Sequence, residues 1–207
     1  VDMISFTGST RAGVQIAKNA ADTVKRVAQE LGGKSANIVF ADSDLEAAVT
    51  RGVLHCFGNT GQSCNAPTRM LVEQSVYDEA VAIAARVAKA AKLGDPMDKG
   101  PHYGPVVSKA HYDKIQGLIQ VGIDEGAQLV AGGTGRADGF DRGYYVKPTV
   151  FAGVHNKMRI AQEEVFGPVL VLIPFKDEAD AVAIVRACMR PPSCSPAMRP
   201  WARGPLA

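Results

Sequence analysis

The sequence predicts an α/β chain with mostly parallel strand pairing, and three observations carry that expectation. Short β-prone runs such as Met3 to Thr7, Ala36 to Phe40 and Val169 to Phe175 recur along the chain. Between them lie apolar stripes at helical spacing, several opened by Ser or Asp and closed by Gly. Strands that alternate with helices throughout return in the same direction, which is parallel pairing.

Taken in order, Met3 to Thr7 is the first strand. It runs into Gly8-Ser9-Thr10 and a helical pattern through Val14, Ile16, Ala17, Ala20 and Ala21. A glycine turn into a helix headed by Ser or Thr is a device that can face a phosphate, and equally a plain helix cap. Val24 to Ala28 reads as a short strand, followed by Gln29-Glu30-Leu31-Gly32-Gly33-Lys34. The two glycines let the backbone bend sharply and leave the Glu30 carboxylate beside a crevice; the competing reading is a solvated surface glutamate. Ala36 to Phe40 is the next strand. Asp42 or Ser43 then caps a helix with the stripe Leu45, Ala48, Val49, Gly52, Val53 and Cys56, which puts Cys56 in the core.

Thr68 to Val72 reads as a strand, and Ser75 starts a long helix that stops at Gly94-Asp95-Pro96. Residues 98–107 form a loop, Ser108 to about Glu125 a helix halted by Gly126, and Gln128 to Ala131 a strand. Tyr144 to Phe151 is an extended segment whose Pro148 suggests an edge or a bulge. A short helix over Asn156 to Glu163, the apolar strand Val169 to Phe175 and a helix from Asp177 or Glu178 through Val185 complete the series. Beyond it Pro191, Pro192, Pro196, Pro200 and Pro205 follow without periodicity, the composition of an irregular tail.

Bulk properties narrow the function. The 207 residues suffice for one large or two small domains. A net charge of +2 is too small to argue for nucleic acid or an anionic membrane, and the longest apolar runs are far shorter than a bilayer span. Four cysteines without a CxxC pair suggest thiols kept reduced, hence a cytoplasmic protein. The four histidines have no metal-ligand spacing, so His102 and His111 are expected in surface or capping roles and no metal site is expected.

Cys64 stands apart. It lies in Phe57-Gly58-Asn59-Thr60-Gly61-Gln62-Ser63-Cys64-Asn65, a small, polar, glycine-rich connection between a helix and a strand, where functional side chains are often displayed. A nucleophilic thiol and a structural one are both open from this segment alone.

Phe6-Thr7-Gly8-Ser9, Glu30-Leu31-Gly32-Gly33-Lys34, Gly61-Gln62-Ser63-Cys64 and Glu163-Glu164-Val165-Phe166-Gly167-Pro168, in that order and spacing, resemble the NAD(P)-dependent aldehyde dehydrogenase superfamily. The resemblance covers roughly Val1 to Ala187 and implies the middle portion of a longer enzyme. It implies residues 1–30 as the C-terminal part of a Rossmann-like cofactor domain and 31–187 as an incomplete parallel-sheet catalytic domain. Residues 188–207 do not match, and a shifted reading frame near Cys188 is the expected origin of that tail. By position, Cys64 matches the family's nucleophile and Glu30 its general base. Gly8, Ser9, Leu31, Glu164 and Phe166 match cofactor contacts, with Gly8 and Ser9 at the nicotinamide and pyrophosphate and Glu164 and Phe166 at the nicotinamide ribose. The implied cofactor is NAD or NADP, the substrate an aldehyde, and the full-length form a homo-oligomer. A coenzyme A-acylating relative would not need Glu30, and a scaffold without turnover is the alternative of a different class.

Overall fold

The computed structural model describes residues 1–188. Two sheets divide the chain. The first contains β1 (Met3–Thr7) and β2 (Arg26–Glu30), paired in parallel through the crossover helix α1 (Thr10–Ala21). The second has five strands in the order β3-β4-β7-β6-β5, with β3 (Ala36–Val39), β4 (Arg69–Glu73), β5 (Gln128–Ala131), β6 (Thr149–Ala152) and β7 (Val169–Phe175). Every neighbouring pair in it is parallel except β5 with β6.

The central strand explains the layers. Seven apolar residues from Val169 to Phe175 show no polar alternation because both faces are covered. Val169, Val171, Ile173 and Phe175 pack toward one core with Ile115, Leu118 and Ile119 of α4 (Lys109–Asp124), Ile160 of α5 (Arg159–Gln162) and Ala181 of α6 (Glu178–Cys188). Leu170 and Leu172 face the other core, with Val49, Val53, Cys56 and Phe57 of α2 (Leu45–Phe57) and Ala80 and Ala84 of α3 (Tyr77–Ala90). Each fully buried Leu or Ile contributes on the order of 1.5–3 kcal/mol. These two cores therefore fix the sheet from which the connection after α2 projects.

Several boundaries differ from the sequence reading for physical reasons. Val24 is not in a strand: it is 90% exposed at φ 52°, in a turn closed by hydrogen bonds back to Ala20 and Ala21, and β2 begins at Arg26. Asp44 caps α2, accepting from the Ala47 amide at 3.1 Å, in place of Asp42 or Ser43. The Tyr144–Phe151 segment is neither an edge nor the bulged strand. Pro148 precedes β6, where its missing N–H disrupts no ladder; β6 is an interior strand, and the register shift falls in β5 at the true edge. The helix foreseen over Asn156 to Glu163 shrinks to the single turn α5. Ser108 caps α4 as expected, accepting from the His111 amide at 3.2 Å, and Gly126 follows it at φ 87°. The last helix extends past Val185 to Cys188, and the rest of the expected tail lies outside the described residues.

Candidate functional site

Cys64 lies in a turn closed by the Ala66 amide donating to the Ser63 carbonyl at 3.1 Å, and its side chain is exposed. The backbone leading into it is left-handed at three successive residues: Asn59 at φ 52°, Thr60 at 56° and Gly61 at 70°. For Thr60, a β-branched residue, that conformation is costly and persists only where neighbours over-determine it. They do. The Asn59 amide donates to the Gln62 carbonyl at 2.9 Å, the Thr60 hydroxyl to the Gly104 carbonyl at 3.0 Å, and the Val107 amide to Gln62 Oε1 at 3.0 Å. Gly61 abuts the Gly167–Pro168 backbone so closely that a Cβ would collide with the Gly167 carbonyl. The cysteine turn is thereby keyed to the Glu163–Pro168 segment.

The other cysteine behaves oppositely. Cys56 is fully buried in the α2 stripe, its thiol 3.7 Å from the Val169 carbonyl, and burial pushes its pKa up to about 12. It stays protonated and unreactive.

Glu30 is the last residue of β2, paired with Thr7, and its carbonyl accepts the Gly8 amide at 3.0 Å. Its carboxylate is exposed and makes no hydrogen bond to Cys64 among the described residues. Ser9 caps α1, its hydroxyl accepting from the Ala12 amide at 3.3 Å, while Gly8 lies under the ring of Phe6 and Leu31 packs on Gly13 of α1. The sharp bend expected at Gly32-Gly33 is not the reason for these glycines, because neither has a positive φ. Gly32 instead makes room for a carboxylate: a Cβ there would sit 2.6 Å from Glu164 Oε2 and 3.8 Å from the Thr10 hydroxyl. The structure thus brings together the first turn of α1, Gly32 and Glu164.

The two adjacent glutamates separate cleanly. Glu163 is held by Arg159 at 2.6 Å, whereas the Glu164 carboxylate turns toward Gly32. Phe166 takes φ 59° and its ring meets His111 edge-on, with centroids 6.0 Å apart.

Three further residues were not foreseen. Arg69, only 1% exposed on β4, donates to the Lys34 carbonyl through Nε at 3.2 Å and Nη2 at 2.7 Å and to Asn156 Oδ1 at 3.3 Å, which anchors the Glu30–Lys34 connection to the five-stranded sheet. His111 is neither a surface nor a capping side chain: its Nε2 donates to the Phe166 carbonyl at 2.6 Å. Lys114 Nζ donates to the Glu164 carbonyl at 2.9 Å. The available signal for His111 was its place four residues before Ile115, at the head of the buried stripe of α4. A groove of about 580 Å³ between β3 and α2, lined in part by Asn37, Arg51, His55 and Asn65, reaches the residue after Cys64 but not Glu30.

The chain matches the profile of the aldehyde dehydrogenase family over residues 1–189. It belongs to that family. Among curated members it is 53% identical over 184 residues to a 3-succinoylsemialdehyde-pyridine dehydrogenase of a Pseudomonas species, a match that covers 89% of this chain and 39% of that protein. It is 43% identical over 188 residues to a 5-carboxymethyl-2-hydroxymuconate semialdehyde dehydrogenase of Escherichia coli, covering 89% and 40% of the two chains. Among solved structures, an aldehyde dehydrogenase of Bartonella henselae is similar at TM-score 0.87 and 62% identity, with 89% of this chain and 39% of that one covered. An aldehyde dehydrogenase C variant of Pseudomonas syringae, in complex with NAD+ and octanal, is similar at TM-score 0.88 and 50% identity, covering 89% and 38%. The chain therefore spans about two-fifths of the length of the family members it matches. Among the described residues, no helix is long and apolar enough to cross a membrane.

Proposed function

We propose that this chain is the nucleophile-bearing and nicotinamide-facing segment of an NAD-dependent dehydrogenase that oxidises an aldehyde to a carboxylic acid. The observation that carries the reading is the contrast between two thiols. Cys56 is sealed in the core, while Cys64 is exposed directly after a strained turn that four separate contacts hold in place. Strain maintained in this way around a nucleophile is a feature of sites that present a reacting atom.

In the proposed reaction the Cys64 thiolate adds to the aldehyde carbon, giving a thiohemiacetal whose oxyanion the Cys64 N–H can stabilise. NAD+, when bound, accepts the hydride that leaves that carbon. The thioester left on Cys64 is then cleaved by water, with Glu30 taking the water's proton; carbon–sulfur cleavage frees the acid and restores the thiolate. Sulfur suits both halves, because a thioester is a better acyl donor than an ester. The Glu164 carboxylate, set against Gly32 and facing the first turn of α1, is a hydrogen-bond acceptor suited to the hydroxyl groups of a ribose. By their positions in the family's motifs, Gly8, Ser9, Leu31 and Phe166 are assigned to the same cofactor. The division into a cofactor unit over 1–30 and a catalytic unit over 31–187 is supported by the two separate sheets. Octanal in the Pseudomonas syringae structure and the semialdehydes in the relatives' names share the carbonyl, the part Cys64 would meet.

The test is rapid-mixing measurement of NADH in a polypeptide of the relatives' full length. Cys64→Ala is expected to abolish both the first-turnover burst and steady turnover. Glu30→Gln is expected to keep the burst while slowing steady turnover by roughly 10²- to 10⁴-fold. Normal turnover in Cys64→Ala would remove the nucleophile assignment, and equal loss of both phases in Glu30→Gln would remove the base.

A further inference from the structure

We infer that His111 and Lys114 are positioning residues that hold the Glu164–Gly167 segment from one face of α4 and so set the reach of the Glu164 carboxylate toward its ligand. The inference rests on the cofactor reading of Glu164 given above. His111, Lys114 and Ile115 stand at i, i+3 and i+4, a spacing that puts them side by side on a helix. Each meets a different part of the segment. Lys114 Nζ donates to the Glu164 carbonyl at 2.9 Å, His111 Nε2 donates to the Phe166 carbonyl at 2.6 Å, and the Ile115 side chain fills the space where a Cβ of Gly167 would go.

The segment needs such a clamp. Phe166 takes φ 59°, a left-handed backbone that disfavours any residue with a side chain, so without outside contacts it would relax to ordinary backbone. That relaxation would move the Glu164 carboxylate on one side and the Gly167 backbone against Gly61 on the other. One helical face is thus mechanically joined both to the carboxylate at Gly32 and, through Gly61, to the turn that carries Cys64. A carbonyl only accepts, so Nε2 is the donor in this contact.

The test uses native-state chymotrypsin cleavage of the 207-residue chain at the Phe166–Gly167 bond, with cleavage after the exposed Phe40 as an internal control. His111→Ala is expected to raise cleavage at Phe166 about fivefold, the loss of one hydrogen bond, without changing cleavage at Phe40. His111→Gln, whose side-chain amide can still donate to the carbonyl, is expected to restore protection. The same substitutions, placed in a polypeptide of the relatives' full length, are titrated calorimetrically with NAD+, beside Glu164→Gln. Weaker NAD+ binding in His111→Ala and Lys114→Ala, with recovery in His111→Gln, would support the inference. Unchanged cleavage at Phe166 in His111→Ala would overturn it. So would looser cleavage with unchanged NAD+ affinity, if Glu164→Gln weakens binding. If Glu164→Gln leaves the affinity unchanged, the cofactor reading of Glu164 falls and takes the ligand half of the inference with it.

Discussion

Cys64 and Cys56 are eight positions apart in the chain and opposite in chemistry. The thiol of Cys56, pushed from the ordinary 9.0 to about 12 by burial, keeps its proton throughout the neutral range. Native alkylation with iodoacetamide at about pH 8, read by peptide mass mapping, should therefore modify Cys64 and spare Cys56 until the chain is denatured. Equal labelling of both thiols would contradict the packing of α2 described above. The sign of the linkage is also set. Between pH 9.0 and about 12 the unfolded chain loses the Cys56 proton while the folded chain keeps it, so this group's contribution to stability is full below that window and declines as pH rises through it. The Cys56 assignment was legible in the sequence, because the stripe Val49, Val53, Cys56 has helical spacing. The hydrogen bond of His111 was not, because its partner is a backbone carbonyl 55 residues away; helical spacing marks only the residue's place at the head of the α4 stripe.

At the scale of an element, the turn after α2 is the most tightly determined piece of the site. Gly61 at φ 70° is pressed on the Gly167 backbone, whereas Gly58, three residues earlier, has φ −49° and open space around its Cβ position. Gly61→Ala should cost about 2 kcal/mol or more, from the left-handed backbone and the collision with an unyielding carbonyl. Gly58→Ala should be close to neutral. Urea unfolding of the two variants measures the difference, and equal midpoints would show that the Gly61–Gly167 contact does not constrain the turn. The small, polar, glycine-rich character of this stretch is legible in the sequence. The requirement for Gly32 is not, because it is no bend but the close approach of Glu164, a residue more than a hundred positions away.

Among the described residues, β3 pairs only with β4, and Ile38 on it and Phe40 just after it are exposed; Met3 and Val14 are exposed on the β1–β2 unit. Unpaired parallel edges with apolar neighbours recruit other strands. The 207-residue chain alone is expected to self-associate, its sedimentation coefficient rising with concentration, and Ile38→Lys should reduce that rise. A monomer at every concentration would count against an adhesive β3 edge.

The order of strands and helices, the α/β class and the buried place of Cys56 were determined by the sequence itself, because they follow from hydrophobic period and from capping residues within a few positions of each other. Only the tertiary structure decided which glutamate of the pair turns to Gly32, why Gly61 admits no side chain, which strand is interior and what His111, Lys114 and Arg69 hold. Those outcomes depend on backbone groups that approach each other from distant parts of the chain, and such contacts have no periodicity to leave in a sequence.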